Sequence, residues 1–299
     1  MKRRTFLQTT AGTFGSLLFE KHPLFASMMA DPWKITMLRN NVGVFSERGG
    51  TIGFLLTKKG NVIVDSQFPD QSKHLLDELK KRSDRAYHLL INTHHHGDHT
   101  GGNITFKGLA KKVVGHVNCL ANHKRVAETQ KSTDKQLFAD TTFSDTWTAK
   151  CGNERIKAHY FGPAHTNGDA IIHFQHANIA HMGDLVFNRR YAFIDKNAGA
   201  SISNWITVLD KTINTFNNDT LFVFGHAFDP EKITGSKEDL RAMQNYLSKL
   251  LFFVGTEIKA GKPKEEILKA KSIPGVTEWK GDGIERGLQA AIDELNNSK

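Results

Sequence analysis

Apolar positions recur along the chain with two periods, and the periods alternate. A period of two, or a short unbroken apolar run, marks a strand; a spacing of three and four marks a helix. Residues 35–45 read as one extended segment ending in VGVF. TIGFLLT (51–57) and VIVD (62–65) read as strands joined by the turn KKGN. Leu75, Leu76 and Leu79 share a helical face and predict a helix over 72–82. YHLLI (87–91) is a buried-strand run, 112–114 a short strand and 117–130 a helix. Strands follow at 156–161, 170–174 and 178–182, then a helix over 203–216 and the strand 221–224. After Asp229-Pro230 the pattern turns helical throughout, with helices over 237–260, 265–270 and 284–295. No repeat of 20–50 residues and no low-complexity linker interrupts this order.

Composition narrows the class. Hydrophobic residues make up 39% and charged residues 24% of 299, a mix able to bury a large core. No apolar run reaches the ~18 residues that span a bilayer, so no stable membrane anchor is expected. Of the net charge of +9, the first thirty residues carry +3 through Lys2, Arg3, Arg4 and Lys21 against Glu20. The remaining positive charge suits an anionic small-molecule substrate. No dense Lys/Arg stripe interleaved with aromatics is present, and nucleic acid is not expected as a partner.

The start, MKRRTFLQTTAGTFGSLLFE, resembles a twin-arginine export signal: Arg3 and Arg4, one residue, then Phe6 and Leu7, then a moderately apolar run. Residues 1–30 are therefore read as a signal peptide, with small residues around Ala26 to Ala30 where cleavage would fall, and the mature protein as periplasmic or secreted. Cys119 and Cys151 are the only cysteines. Either they pair in an oxidising compartment, or they sit as buried small hydrophobes; the sequence alone does not bring them together.

The chemistry concentrates in THHHGDHTGG, residues 93–102. Four histidines and an aspartate within six residues would repel one another when protonated and leave polar nitrogens to satisfy if buried, and a metal ion offsets both. His94 and His96, two apart at a strand end, point the same way; Asp98 and His99 follow a glycine where the backbone turns. His95 points the opposite way and is read as packing. Zinc prefers about four ligands, so neither cluster is complete. His165 in GPAHTNGD, Asp184 in HMGDLVF and His226 in VFGHAFDP each follow an apolar strand and complete the set. Asp65, ending VIVD, orients a metal-binding histidine or serves packing and turn chemistry equally well. His116, His159, His173, His176 and His181 carry no motif and are read as structural or exposed.

HxHxDH, then His in G-x-x-H-T, Asp in GD and His in GH, in this order over about residues 35–230, resembles the metallo-β-lactamase superfamily. The resemblance implies a four-layer αβ/βα sandwich, an α/β (α+β) fold of two mixed sheets face to face with helices outside. It implies two zinc ions per chain: one on His94, His96 and His165, the other on Asp98, His99 and His226, with Asp184 bridging. The domain plan is a signal peptide at 1–30, the metallo-β-lactamase-like domain at 31–230, and a helical segment at 231–299 packed on the same domain or capping its cleft.

The implied activity is that of a dinuclear zinc hydrolase, in which hydroxide held between the metals attacks the carbonyl of a thioester, lactone, other ester or amide. Asp98 and Asp184 are the residues placed to take or relay the proton. GxSxG, a Walker loop and a strand-linked GxGxxG are all absent. The opening motif is similar to that of glyoxalase II, and an aspartate at 184 matches the hydrolases. Zinc β-lactamases generally carry Cys or Ser there, and the B1-type enzymes a lysine three residues later, where this chain has Phe187. Asn188, Arg189 and Arg190 follow at once as candidate donors to an anionic substrate. Two other readings are a true β-lactamase and a persulfide dioxygenase with one iron.

Overall fold

A computed structural model describes residues 33–297. The twin-arginine segment lies outside the described residues. Seven strands form the first sheet, in the order β1 (Lys34–Met37), β2 (Val42–Ser46), β3 (Ile52–Thr57), β4 (Gly60–Val64), β5 (Tyr87–Ile91), β6 (Ala110–His116) and β7 (Thr141–Phe143). The first four pair antiparallel, and β4 to β7 run parallel. Six strands form the second sheet. Its antiparallel part is β8 (Thr146–Cys151), β9 (Glu154–His159), β10 (Ile171–Phe174) and β11 (Ile179–His181). There β13 (Leu221–Val223) pairs parallel to β11, and β15 (Thr234–Gly235) closes the edge. A two-stranded ribbon joins β12 (Phe187–Asn188) to β14 (His226–Ala227).

The period-two pattern sorts neighbouring side chains into different cores. In β4, Val62 and Val64 face the second sheet while Ile63 faces outward; in β5, Leu89 and Ile91 face inward and Leu90 outward. The inward set meets Ile156, Ile172, Phe174, Ile179 and Val223 of the second sheet. The outward set packs beneath α1 (Pro69–Lys80), whose Leu75, Leu76 and Leu79 lie on one face as the spacing predicts. On the far side, Ile171, Ala180 and Phe222 pack beneath α4 (Ile202–Thr215) and α5 (Lys237–Lys259) through Trp205, Leu209, Met243 and Leu247. The layers are thus helix, sheet, sheet, helix. The remaining helices are α2 (Gly97–Thr100), α3 (Val117–Thr129), α6 (Lys264–Ile267) and α7 (Ile284–Asn297).

Several elements differ from expectation. The segment 35–45 is a hairpin, because Asn40 and Asn41 take positive φ (47° and 64°), which turns the chain between β1 and β2. Strands β7 and β8 and the two-residue strands β12, β14 and β15 are not among the expected ones. Strand β8 (TWTAKC) alternates exposed and half-buried residues and has no apolar run to announce it. Strand β15 puts residues 234–235, in the segment read as helical, into the second sheet beside β13, too short to carry a period. Both cysteines are free and buried, so they serve as small core side chains; the Cys151 thiol donates to the Gly60 carbonyl at 3.4 Å.

Candidate metal centre

The ends of the strands place the polar cluster. The parallel strand β5 runs straight into residues 92–96, and the chain then turns into α2, so His94, His96, Asp98 and His99 fall at the carboxyl edge of the first sheet. His165 sits in the connection from β9 to β10. Asp184 lies in a single helical turn after β11, entered through Gly183 at φ 50°. His226 opens β14 after β13. Two close approaches depend on glycine: a Cβ on Gly50 would overlap the His99 ring, and one on Gly225 the Asp184 carboxylate.

The hydrogen bonds assign the tautomers. His165 Nδ1 donates to the Phe193 carbonyl at 2.7 Å. His96 Nε2 donates to Asp195 at 2.9 Å. The Thr93 hydroxyl donates to Asp65 at 2.7 Å, which leaves its oxygen to accept from His94 Nδ1 at 3.1 Å. Each ring therefore turns an unprotonated nitrogen toward the others. His96 Nδ1 lies 3.1 Å from His94 Nε2 and 2.9 Å from His165 Nε2. In their neutral forms the three rings set lone pairs this close together, an arrangement that a cation in their midst satisfies. Burial, then the neighbouring His96, pushes His165 down to about 3, so it is neutral and free to ligate at neutral pH.

The second group is built alike. His99 Nδ1 donates to Asp65 at 2.8 Å, so Nε2 faces Asp184 Oδ1 at 3.0 Å. Those two atoms are buried and lack a hydrogen-bond partner. His226 Nε2 lies 3.1 Å from Asp98 and 3.4 Å from Asp184. Burial lowers the His226 pKa, yet the two carboxylates outweigh it and raise it to about 9. Asp184 is held well below the carboxylate range despite burial, by His226, His99 and His94. The ligand atoms of His94, His96, His165 and Asp184 all lie within 4.8 Å of one another, as do those of Asp98, His99 and His226. Buried lone pairs, buried polar atoms without a hydrogen-bond partner and two carboxylates gathered among histidines together fit divalent cations. Asp184 reaches both groups, 3.5 Å from His165 through one oxygen and 3.0 Å from His99 through the other. Asp65 orients His99 and, through Thr93, His94.

A cleft of about 340 Å³ opens over the cluster, lined by His96, Asp98, Asp184, Phe187, Arg190, Phe193 and His226. Of the three candidate substrate donors, the structure brings only Arg190 to it. Asn188 is buried and donates to the Lys232 carbonyl, and Arg189 lies 3.7 Å from Asp239 and over the Trp279 ring. Phe187 stacks on His226, with centroids 5.3 Å apart. Phe193 and Asp195 touch the site unannounced, since neither belongs to a motif. His95 is buried with both ring nitrogens unpartnered. His116 caps α3 and stacks on Tyr160, and His181 donates to the Thr51 carbonyl. His159 and His173 flank Phe216, and His176 is exposed.

Comparison with known proteins agrees with this geometry. Residues 46–255 match the model of the metallo-beta-lactamase superfamily. The chain is 28% identical over 201 residues to a metallo-beta-lactamase type 2 of Bacillus cereus, covering 64% of this chain and 75% of that protein. It is 24% identical over 202 residues to one of Elizabethkingia meningoseptica, covering 64% and 78%. Among solved structures, a metallo-beta-lactamase from Pontibacter korlensis superposes with TM-score 0.59 at 18% identity, over 72% of this chain and all but 1% of that one. The metallo-beta-lactamase IND-7 gives TM-score 0.59 at 21% identity, over 73% of this chain and 100% of its own. The sandwich, the His/Asp cluster at its edge and the family match converge: the chain belongs to the metallo-β-lactamase superfamily.

Proposed function

We propose that the protein is a zinc-dependent hydrolase with two metal ions per chain, acting on an ester-like carbonyl of a small molecule. The observation that carries this is the convergence of the unprotonated nitrogens of His94, His96 and His165 beside the carboxylate of Asp184, which also reaches the Asp98, His99 and His226 group. His94, His96 and His165 would hold one ion, Asp98, His99 and His226 the other, and Asp184 both. Ions held there would supply an activated water near neutral pH and a Lewis acid for the electrophile.

The chain's own residues do the rest. Asp98 is half-open to the cleft and sits against His226, so it is the carboxylate placed to accept a proton at the mouth. Asp184 is buried at the floor of the cleft and would fix the spacing of the two groups. Phe187 and Phe193 wall the cleft, and Arg190 is its cation, suited to a substrate with an anionic group beside an apolar one. Phe187 stands where a lysine would serve a β-lactam carboxylate, and this favours a thioester, lactone or other ester over a β-lactam. Residues 1–30, taken as a twin-arginine signal, put the activity in the periplasm or outside the cell.

The test is metal analysis of purified protein together with a panel of thioesters, lactones, β-lactams and phosphodiesters. About two zinc per chain and turnover of a carbonyl ester are expected. One iron with no hydrolysis, or no tightly held divalent metal, would sink the reading. Turnover confined to β-lactams would move the protein to the β-lactamases.

A further inference from the structure

Asp195 lies in the loop between β12 and α4, outside every motif that identifies the site. Its Oδ2 accepts from His96 Nε2 at 2.9 Å, and its Oδ1 accepts from the Ala198 N–H at 3.1 Å. Its own N–H donates to the His165 carbonyl at 3.1 Å. The next residue, Lys196, donates to Glu294 of α7 at 3.1 Å and to the Ala200 carbonyl at 2.9 Å. Glu294 also accepts from the Ile202 and Ser203 N–H groups at 2.8 Å, at the start of α4. One run of contacts therefore leads from a helix beyond residue 255, where the family match ends, to a histidine of the metal cluster.

We propose that Asp195 is a positioning residue for His96, and that the C-terminal helix α7 holds it in place through Lys196. The inference rests on the metal-binding reading above. Its physical content is a tautomer. A carboxylate accepts hydrogen bonds only, so it keeps the His96 proton on Nε2 and leaves the Nδ1 lone pair directed at His94 and His165. The neighbouring His95 Nε2, at 3.8 Å from Asp195, is too far to share this bond.

The substitution Asp195→Asn separates this role from simple loop support. Its single carbonyl oxygen can serve Ala198 or His96 but not both, and the amide NH2 turned toward His96 Nε2 would drive the proton onto Nδ1. Asp195→Ala removes both side-chain contacts, and Lys196→Met removes the tether to Glu294 together with the bond to the Ala200 carbonyl while leaving both Asp195 contacts in place. Zinc affinity is read by competition with a chromophoric chelator, and ligand geometry by the visible absorption of the cobalt-substituted protein. For Asp195→Asn and Asp195→Ala, one zinc equivalent should weaken by about 10- to 100-fold, with shifted cobalt bands and the other equivalent held within about threefold. Lys196→Met should weaken the same equivalent by a smaller factor. The melting temperature of the metal-free variants should stay within about 3 °C of wild type. Unchanged affinity and spectrum in Asp195→Asn overturn the proposal, as does an equal loss of both equivalents with a collapsed metal-free melt, which marks a merely structural residue. A wild-type chain that binds no divalent cation overturns this and the hydrolase reading together.

Discussion

At the scale of single residues, adjacent side chains divide labour according to which way the backbone turns them. Arg189 takes φ 56°, a left-handed conformation that swings it toward Asp239 and Trp279, while Arg190 enters the cleft beside Phe187. Arg190→Ala should raise KM for substrates with a carboxylate by roughly tenfold and leave KM for neutral analogues within about twofold, in line with the energy of one charge-assisted hydrogen bond. Arg189→Ala should change neither, and serves as the control; equal effects from the two variants would remove the substrate role of Arg190. This division was not legible beforehand. The sequence places Asn188, Arg189 and Arg190 side by side, and neither spacing nor composition says which of three neighbours a short β-bridge will point inward. The seven cluster residues were legible because they follow apolar strands inside recognisable motifs. Asp195 was not, because a loop aspartate before Lys-Asn carries no periodic signal.

At the scale of elements, strands and helices with a clean apolar period were readable, and those defined by their surroundings were not. Helix α5 carries Leu240, Met243, Leu247, Leu250 and Val254 at helical spacing and was predicted to within a residue of its ends. The β1–β2 hairpin and β8 were missed for the opposite reason, one turning on two asparagines, the other exposed along one side. Helix α4 shows how elements are joined: its start is closed by Ser201 and by Glu294 reaching over from α7. Burial alone would raise the Glu294 pKa, but the Ser203 and Ile202 N–H groups and Lys196 hold it below its ordinary 4.5. A carboxylate with a depressed folded pKa adds stability above its unfolded pKa and loses it as pH falls through the folded value. Glu294→Gln should therefore cost about 1–3 kcal/mol at pH 7, and the gap to wild type should narrow as pH falls below about 4.5. Urea midpoints of the metal-free proteins across that range check it; a gap that stays constant with pH would show that Glu294 acts by shape rather than charge.

At the scale of the whole molecule, the boundary of the family match and the boundary of the folded unit do not coincide. The match ends at residue 255, within α5, while from Trp33 onward the chain is one compact unit. Helix α7 carries Leu288, Ala291 and Ile292 into the same core as Trp205 and Leu247, and its Arg286 stands over the Phe193 ring at the cleft wall. The C-terminal segment thus packs on the sandwich and borders the site at once, two roles that the helical pattern alone left open. A chain ending at residue 283 would uncover Leu250 and Val254 and discard the buried Leu288 and Ile292. At about 1.5–3 kcal/mol for each large apolar side chain, those two residues alone are worth roughly 3–6 kcal/mol, a large part of the ~5–15 kcal/mol that keeps a domain folded. The truncated protein should lose its cooperative thermal transition or aggregate on expression, and should hold less than about one zinc per chain when any folded material is recovered. Calorimetry and metal analysis of the two lengths side by side decide the matter: a truncated chain that melts within a few degrees of full length and still holds two zinc ions would show the helix to be an ornament on a domain that is complete without it.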